Sequence, residues 1–387
     1  MNILNRYTNL VIAGVLDYSS CENIISFNSE NRKDLELYQT LISKFKNIKH
    51  STFIKEKEVN RDNVLKKFYE SMYDQNKEDL FIFYFTGHGS LSENNEPGLL
   101  MSNGDIISKT ELKNNIKQNY KNQSIILLGD FCYSGLLADI AIELNNDGLN
   151  INAITSASSN LSTENWSYTQ TLIDSFNGRS IIDKDNKGFI NFMDVAKEVQ
   201  NVMFNRERQK SDFFLLPDFA NYNISNAKIE VIKNEGSIKY DEWYCSHEGI
   251  ARVIGFTNDL VKVEYYHYNK YKFETLKKSD LSPIQIADFE IGDHIDVNWE
   301  GEIHKAIIEN VDRIFYKVSY IGWGPEWNEW ITKHRIVGDE KIKILLDDIW
   351  YDGEIIQKKD NHYFVRYHGY DTCYDEWVDE SRIKIMI

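Results

Sequence analysis

Apolar and polar positions follow two different rhythms along the chain, and the change falls near residue 235. In the first part, short apolar runs give way to segments with helical spacing. Leu10-Val11-Ile12-Ala13-Gly14-Val15 reads as a buried strand, and residues 34–45 then place Leu35, Tyr38, Leu41, Ile42 and Phe45 on one helical face. Thr52-Phe53-Ile54 reads as the next strand, and Val64, Leu65, Phe68, Tyr69 and Met72 recur at helix spacing before the apolar run Leu80 to Phe85. Ser108-x-x-Glu111 has the form of a capping box and opens a short helix leading to the strand Ile125 to Leu128. A strand at 151–156 with a helix at 166–176, and a helix at 192–203 with a strand at 213–216, complete the series. Strands separated by helical crossovers predict a mostly parallel sheet covered on both faces, with ligands at the carboxyl ends of its strands.

Beyond residue 235 the rhythm becomes short alternating strands rich in Tyr and Trp. Residues 295–337 overlay residues 342–384 at an offset of 47: Val318-Ser319-Tyr320-Ile321-Gly322-Trp323 meets Val365-Arg366-Tyr367-His368-Gly369-Tyr370, and Asn328-Glu329-Trp330 meets Asp375-Glu376-Trp377. A weaker copy spans 242–282, where Ala251, Val263 and Tyr265 match Ala306, Val318 and Tyr320 and Thr275-Leu276 stands in place of Glu-Trp. Each copy is too short to bury much alone, so three small curled β-sheets are expected, with Ser282 and Pro283 marking one joint.

Composition sharpens this picture in three ways. Aromatic residues reach 13% and crowd into the last 150 positions, so the second part is a different kind of module. The formal charge of −16 repels a phosphate backbone, which favours a protein or peptide partner over nucleic acid. Cys21, Cys132, Cys245 and Cys373 have no paired spacing, which indicates neither a disulfide framework nor a zinc site. With no cleavable leader and no apolar run of membrane-spanning length, the expectation is a cytoplasmic protein with no membrane partner.

Two strand ends carry chemistry. Phe81 to Phe85 ends in Thr86-Gly87-His88-Gly89-Ser90, where flanking glycines let the backbone turn and present the imidazole as a general base. Ile125 to Leu128 ends in Gly129-Asp130-Phe131-Cys132-Tyr133-Ser134-Gly135, ahead of the apolar helical stretch Leu136 to Leu144. An adjacent imidazolium and helix-terminal amides are expected to lower the thiol pKa, and the backbone N–H groups of Gly89 and Cys132 to hold an oxyanion. A lone Cys or His after a buried strand is usually structural. Together at equivalent strand ends, 44 residues apart, they resemble the His and Cys motifs of the caspase/metacaspase clan of cysteine peptidases.

That resemblance covers roughly residues 8–222 and includes Ile154-Thr155-Ser156-Ala157-Ser158 and the turn Gly188-Phe189-Ile190. It implies an α/β caspase-like domain at 1–228 and a catalytic dyad of His88 and Cys132. Asp130 stands where metacaspases have an acid rather than the caspase Gln, which implies a preference for Arg or Lys at P1, with Asp34 as its partner and Thr86 in place of the family's pocket serine. The alternative for Asp34 is a helix N-terminal charge. Two carboxylates in a narrow pocket repel each other and favour an incoming cation. Asp139 matches one calcium ligand of many metacaspases, but no complete set can be placed, so no cofactor is assigned and calcium activation stays open. The run from Asp183 to Asp194 superficially matches an EF-hand loop, yet Lys187 stands at position 5 and Asp194 replaces the bidentate Glu at 12, so a polar turn into a helix is expected and no metal site is assigned.

The run Tyr320-x-Gly322-Trp323-x-x-x-Trp327-Asn328-Glu329-Trp330 resembles the signature of chromo-barrel and Tudor-knot domains. The expected architecture is therefore the α/β domain followed by three SH3-like, chromo-barrel-like units at 235–285, 286–338 and 339–387. Carried over by position, a partner-binding cage in the second would use Trp299, His304, Tyr320, Trp323 and Trp327, and in the third Tyr351, Tyr367, Tyr370 and Tyr374, with Trp330 and Trp377 as core. Such cages attract a desolvated cation such as methylated lysine. The rings can equally dock an unmodified peptide or simply fill a small core. The functional expectation is a cysteine endopeptidase whose barrels bring in or sense a protein partner. Two alternatives stand beside it: a partner-activated effector of a stress or defence system, and a non-catalytic reader built on the same scaffold.

Overall fold

A computed structural model describes residues 2–22, 24–27, 32–157, 166–229, 237–257, 260–267, 270–299, 301–312, 314–338 and 340–385. Ser158 of the expected motif lies outside them. The chain divides into two units, Met1–Val231 with His267–Lys270, and Ile232–Tyr266 with Tyr271–Ile387.

The first unit runs β1 (Tyr7–Gly14), α1 (Asp34–Lys44), β2 (Asn47–Lys55), α2 (Arg61–Met72), β3 (Leu80–Thr86), a small sheet of β4 (Gly89–Leu91), β5 (Pro97–Leu100) and β6 (Ile106–Ser108), then α3 (Lys109–Asn119), β7 (Ser124–Asp130), α4 (Leu136–Asn146) and β8 (Ile151–Thr155). It continues through α5 (Ser167–Phe176), β9 (Phe189–Asn191), α6 (Phe192–Val202), β10 (Phe213–Phe214), α7 (Pro217–Ala220) and β11 (Asn223–Asn226). Six strands form one sheet in the order β10-β8-β7-β3-β1-β2, parallel except for the edge strand β10. Every residue of β3 and β7 is buried, which is why both read as near-continuous apolar runs: helices cover both faces. On one face Val11, Phe81, Phe83, Phe85 and Leu127 pack with Val64, Phe68 and Met72 of α2, Leu112 of α3 and Leu137 of α4. On the other face α1 packs against α5.

Two local expectations shift. The buried side of α1 is Asp34, Leu37, Thr40 and Leu41, with Asp34 paired to Arg32, while Leu35 of the expected face is turned outward. Ser108 caps α3 by accepting from the Glu111 amide at 3.2 Å, but the Glu111 carboxylate pairs with Arg61 at 2.6 Å instead of closing the box.

The second unit holds three antiparallel five-stranded sheets. They comprise β12 (Trp243–Ser246), β13 (Gly249–Thr257), β14 (Leu260–His267), β15 (Lys270–Lys277) and β16 (Ser282–Pro283); β17 (His294–Trp299), β18 (Glu302–Asp312), β19 (Phe315–Tyr320), β20 (Glu329–Thr332) and β21 (Ile336–Val337); and β22 (Glu340–Leu346), β23 (Ile349–Lys359), β24 (His362–Tyr367), β25 (Glu376–Asp379) and β26 (Ile383–Ile385). Ser282 and Pro283 therefore close the first sheet against β12 rather than lying in a joint. A bulge interrupts the second strand of each sheet, between Val253 and Gly255, Ile308 and Asn310, and Ile355 and Gln357. These are equivalent positions under the sequence overlay, so the repeat extends to a backbone irregularity that curls each sheet.

A buried polar clamp repeats as well. Tyr320 donates to Glu329 at 2.6 Å, and Arg335 bonds both Glu329 at 2.7 Å and the Tyr320 oxygen at 3.1 Å. Tyr367, Glu376 and Arg382 repeat it at 2.7, 2.6 and 3.2 Å. In the first sheet Glu274 meets Tyr265, which places Glu274 opposite Glu329 and corrects the Thr275-Leu276 alignment by one residue, while Asp280 stands where the arginine belongs. Trp330 and Trp377, expected as core, are half-buried, and Trp377 lies against Phe364 with ring centroids 5.3 Å apart.

Removing one member of the buried clamp strands a charge. Arg335→Met is expected to destabilise the second sheet by about 3–5 kcal/mol, with Glu329→Gln milder; denaturant midpoints of the two variants against the wild type check the order.

Candidate functional site

The parallel register sets Gly14, Thr86 and Asp130 side by side across β1, β3 and β7. Asp34, at the start of α1, lies directly over Gly14: a Cβ added there would sit 2.0 Å from Asp34 Oδ2. The three residues expected to line a pocket for a basic side chain, Asp130, Asp34 and Thr86, thus share one face at the carboxyl edge of the sheet, and all three are buried.

Their electrostatics differ. Asp130 Oδ2 accepts from Thr169 of α5 at 2.6 Å, and Thr169 in turn shares a 2.6 Å bond with the Tyr84 hydroxyl. Asp130 Oδ1 is buried with no hydrogen bond among the described residues. Burial pushes the Asp130 carboxyl up to about 7, against the lowering effect of the Thr169 hydroxyl. Asp34 instead holds the guanidinium of Arg32 in a two-pronged pair, Nε to Oδ1 at 2.7 Å and an Nη to Oδ2 at 2.5 Å, and Glu56 pairs with the same arginine. Asp34 also serves as a charge at the helix N-terminus, since its carboxylate accepts from the Leu35 amide at 2.8 Å.

Two residues beyond β3, His88 is held by its surroundings. Its backbone N–H donates to the Tyr18 hydroxyl at 2.8 Å, and that hydroxyl donates to the Leu100 carbonyl at 3.1 Å. The imidazole stacks on Phe27 with ring centroids 4.2 Å apart and meets Tyr18 at 4.8 Å. Its Nε2 lies 2.7 Å from the Ile25 carbonyl. A carbonyl only accepts, so Nε2 carries the proton and Nδ1 is the basic nitrogen. Desolvation lowers the His88 pKa, and the Ile25 carbonyl opposes it.

Cys132 follows β7 in a turn where Tyr133 takes φ 63°, and it is half-buried. The amides of Cys132 and Gly89 both donate toward its sulfur. Gly89 has no room for a side chain: a Cβ there would fall 1.7 Å from the Cys132 carbonyl oxygen. The expected lowering of the thiol pKa is overturned. Burial pushes it up to about 11, with the Asp130 charge adding to the rise and the two amides only moderating it. Burial thus favours the protonated thiol at Cys132 and the uncharged imidazole at His88.

Asp139 pairs with Lys109 at 3.1 Å on the exposed side of α4. In the EF-hand-like run, Asp183 accepts from the amides of Lys187 and Gly188, and Asp194 closes a capping box with Asn191 while pairing with Lys187 at 2.7 Å. The acids of that loop serve backbone amides and a lysine, as expected of a polar turn into a helix. In the first small sheet His247, Glu248 and Glu274 group together, but Lys272 takes both oxygens of Glu248.

The second sheet gathers its five predicted rings. Trp299 lies 5.2 Å from Trp327, 5.3 Å from Trp323 and 5.9 Å from Tyr320, Trp323 meets Trp327 at 5.2 Å and 83°, and His304 meets Trp323 at 5.1 Å. Trp299 stacks on Tyr320 at 22°, the remaining pairs meet at steeper angles, and Trp323 is 40% exposed. The third sheet gathers Tyr351, Tyr367, Tyr370 and Tyr374 at 5.7 to 6.3 Å, with Leu346 where the second has Trp299. Tyr374 also donates its hydroxyl to the Ser246 carbonyl at 2.5 Å.

The Ile25 carbonyl, Phe27, Thr169 and Arg32 escaped sequence reasoning. The first two sit in an irregular loop, Thr169 follows a stretch with no motif, and Arg32 differs from any surface arginine only through its fold.

A family model described as Tudor-knot, an RNA binding activity-knot of a chromodomain, matches residues 339–385, which are the third small sheet. No curated protein matches the chain. Among solved structures, protein GSU0716 from Geobacter sulfurreducens is similar at 13% identity over 57% of this chain and 100% of its own, with a TM-score of 0.41. Among the described residues no helix is long and apolar enough to cross a membrane.

An acid held above its unfolded pKa of about 3.8 stabilises the fold below that pH and loses this contribution as pH rises through about 7. Asp130→Asn is expected to flatten that loss, gaining on the order of 3 kcal/mol over wild type at pH 8 relative to pH 4; urea midpoints across the range check it.

Proposed function

We propose that the first unit is a cysteine endopeptidase that cleaves after Arg or Lys, and that the aromatic sheets bring it a protein partner. The observation that carries this reading is the pair of amides, Gly89 and Cys132, aimed at one sulfur at the sheet edge where the neighbouring strand's loop carries His88, whose tautomer is set by the Ile25 carbonyl. On attack the Cys132 thiol gives its proton to His88 Nδ1 as sulfur bonds to the peptide carbonyl carbon, and the oxyanion takes the two amides. His88 then protonates the leaving amine, and water hydrolyses the thioester. A basic P1 side chain would meet the unpartnered Oδ1 of Asp130 and compete with Arg32 for Asp34.

For the barrels, the exposed Trp323 among four further rings supports a cation site, and the acidic chain favours a basic protein tail over nucleic acid. The matched family's description names RNA binding, and that reading is the one to test against. A partner-activated effector is the second enzyme reading, favoured by the neutral thiol and by Arg32 standing on Asp34.

Fluorogenic peptides with Arg, Lys or Asp at P1 should be cleaved after Arg or Lys by the wild type and not by Cys132→Ala, with or without calcium. Cleavage after Asp would remove the role given to Asp130, and silence with every peptide, with and without a trimethyl-lysine peptide, would favour the non-catalytic reader. Iodoacetamide should modify Cys132 with a rate that climbs toward a midpoint of about 11. A plateau near neutrality would mean an ion-paired thiolate instead.

A further inference from the structure

Sequence spacing offers no pairing for Cys245 and Cys373, which are 128 residues apart. The fold brings them together. Cys245 lies in β12 of the first small sheet and Cys373 in the turn Thr372–Tyr374 of the third, and their sulfurs are 2.8 Å apart. That is closer than two non-bonded sulfurs ordinarily pack and needs only a small closure to reach bonding distance. Both thiols are buried, at 3% and 4% exposure.

Neighbouring bonds hold both backbones at this meeting point. β12 is paired on both sides, with β13 and with β16. The Cys373 amide donates to Asp371 Oδ1 at 2.9 Å, and next to it the Tyr374 hydroxyl reaches the Ser246 carbonyl. The juxtaposition is thus fixed by four chain segments rather than by one side-chain rotamer. The Cys373 thiol is the largest influence holding the Cys245 thiol below its ordinary pKa, against the opposing effect of burial, and the Lys333 ammonium adds to the lowering, which suits Cys245 to start an oxidation.

We propose that Cys245 and Cys373 are a disulfide-forming pair whose oxidation staples the first small sheet to the third. With a peroxide as oxidant, the Cys245 thiolate attacks one oxygen and breaks the O–O bond, giving a sulfenic acid and hydroxide, which takes up the thiol's proton as water. Cys373 then displaces the sulfenic oxygen as a second water and forms the S–S bond. Two thiols lose two electrons and two protons, and one peroxide becomes two waters. The staple fixes the turn that carries Tyr374, so the aromatic cluster of the third sheet becomes tied to the redox state of the chain. None of this depends on peptidase activity.

The test uses the full chain, reduced and then exposed to hydrogen peroxide or kept in dithiothreitol, with remaining thiols blocked after denaturation. Non-reducing peptide mapping should find a linked pair containing Cys245 and Cys373, lighter by two hydrogens than the two peptides. The oxidised chain should melt about 10 °C higher than the reduced one. Cys245→Ala and Cys373→Ala should each abolish that rise. Both thiols still free after peroxide, a link from either to Cys21 or Cys132, a link between two chains, or an intramolecular link with no rise in melting temperature would each overturn the proposal.

Discussion

Everything at the candidate site depends on the register of three parallel strands. Because Gly14, Thr86 and Asp130 are paired in one row, β3 and β7 end at the same height, and the loops that leave them carry His88 and Cys132 to the same edge. A slip of one residue in either pairing would send Asp130 to the opposite face, among the phenylalanines of the α2, α3 and α4 layer. The register is secured by packing on both faces: Phe81, Phe83 and Phe85 on one, Tyr84 and its bond to Thr169 on the other. Gly14 belongs to the same constraint, since only a residue without a Cβ leaves space for the Asp34 carboxylate.

What the sequence revealed follows from this. Buried parallel strands are read as apolar runs, and motifs at their carboxyl ends are read as sites, so the sheet, His88, Gly89, Cys132, Asp130 and Thr86 were legible. Contacts made by irregular backbone were not. The Ile25 carbonyl that sets the His88 tautomer is a main-chain atom, and any residue type supplies one. Arg32 carries no pattern of its own, yet it pairs with the buried Asp34 at the start of α1, where Leu35 of the expected face is exposed while Leu41 and Phe45 of that face are buried. Electrostatics were misjudged for a similar reason: a motif shows which groups are near a thiol but not how much protein excludes water from it, and here exclusion outweighs the amides.

The repeats show how a small sheet diverges. In the second and third copies a Tyr-Glu-Arg clamp fixes the tyrosine that forms one wall of the ring cluster. The first copy keeps Tyr265 and Glu274 but has Asp280 for the arginine. It stabilises its interior differently, with Arg252 wholly buried, paired to Asp241 at 2.5 Å and lying over Trp243. Loss of the clamp and loss of the tryptophan-rich signature go together in that copy. This fits a division in which the end of β12 meets the third copy's turn while the other two present rings.

Burial links the pocket to the nucleophile. The Asp130 charge is one of the influences that raise the Cys132 thiol, and burial itself keeps Asp130 near the point of half-ionisation at neutral pH. A basic side chain entering beside Asp130 would favour its ionised form and at the same time cancel the field that this charge exerts on the sulfur. An acidic side chain would do neither, because it would add a further negative charge beside the buried carboxyls of Asp34 and Asp130. Under the proposed reaction, selectivity and activation therefore share one cause. The same cation that satisfies the orphaned carboxylate oxygen removes part of the cost of forming the thiolate, and an empty pocket leaves the thiol protonated.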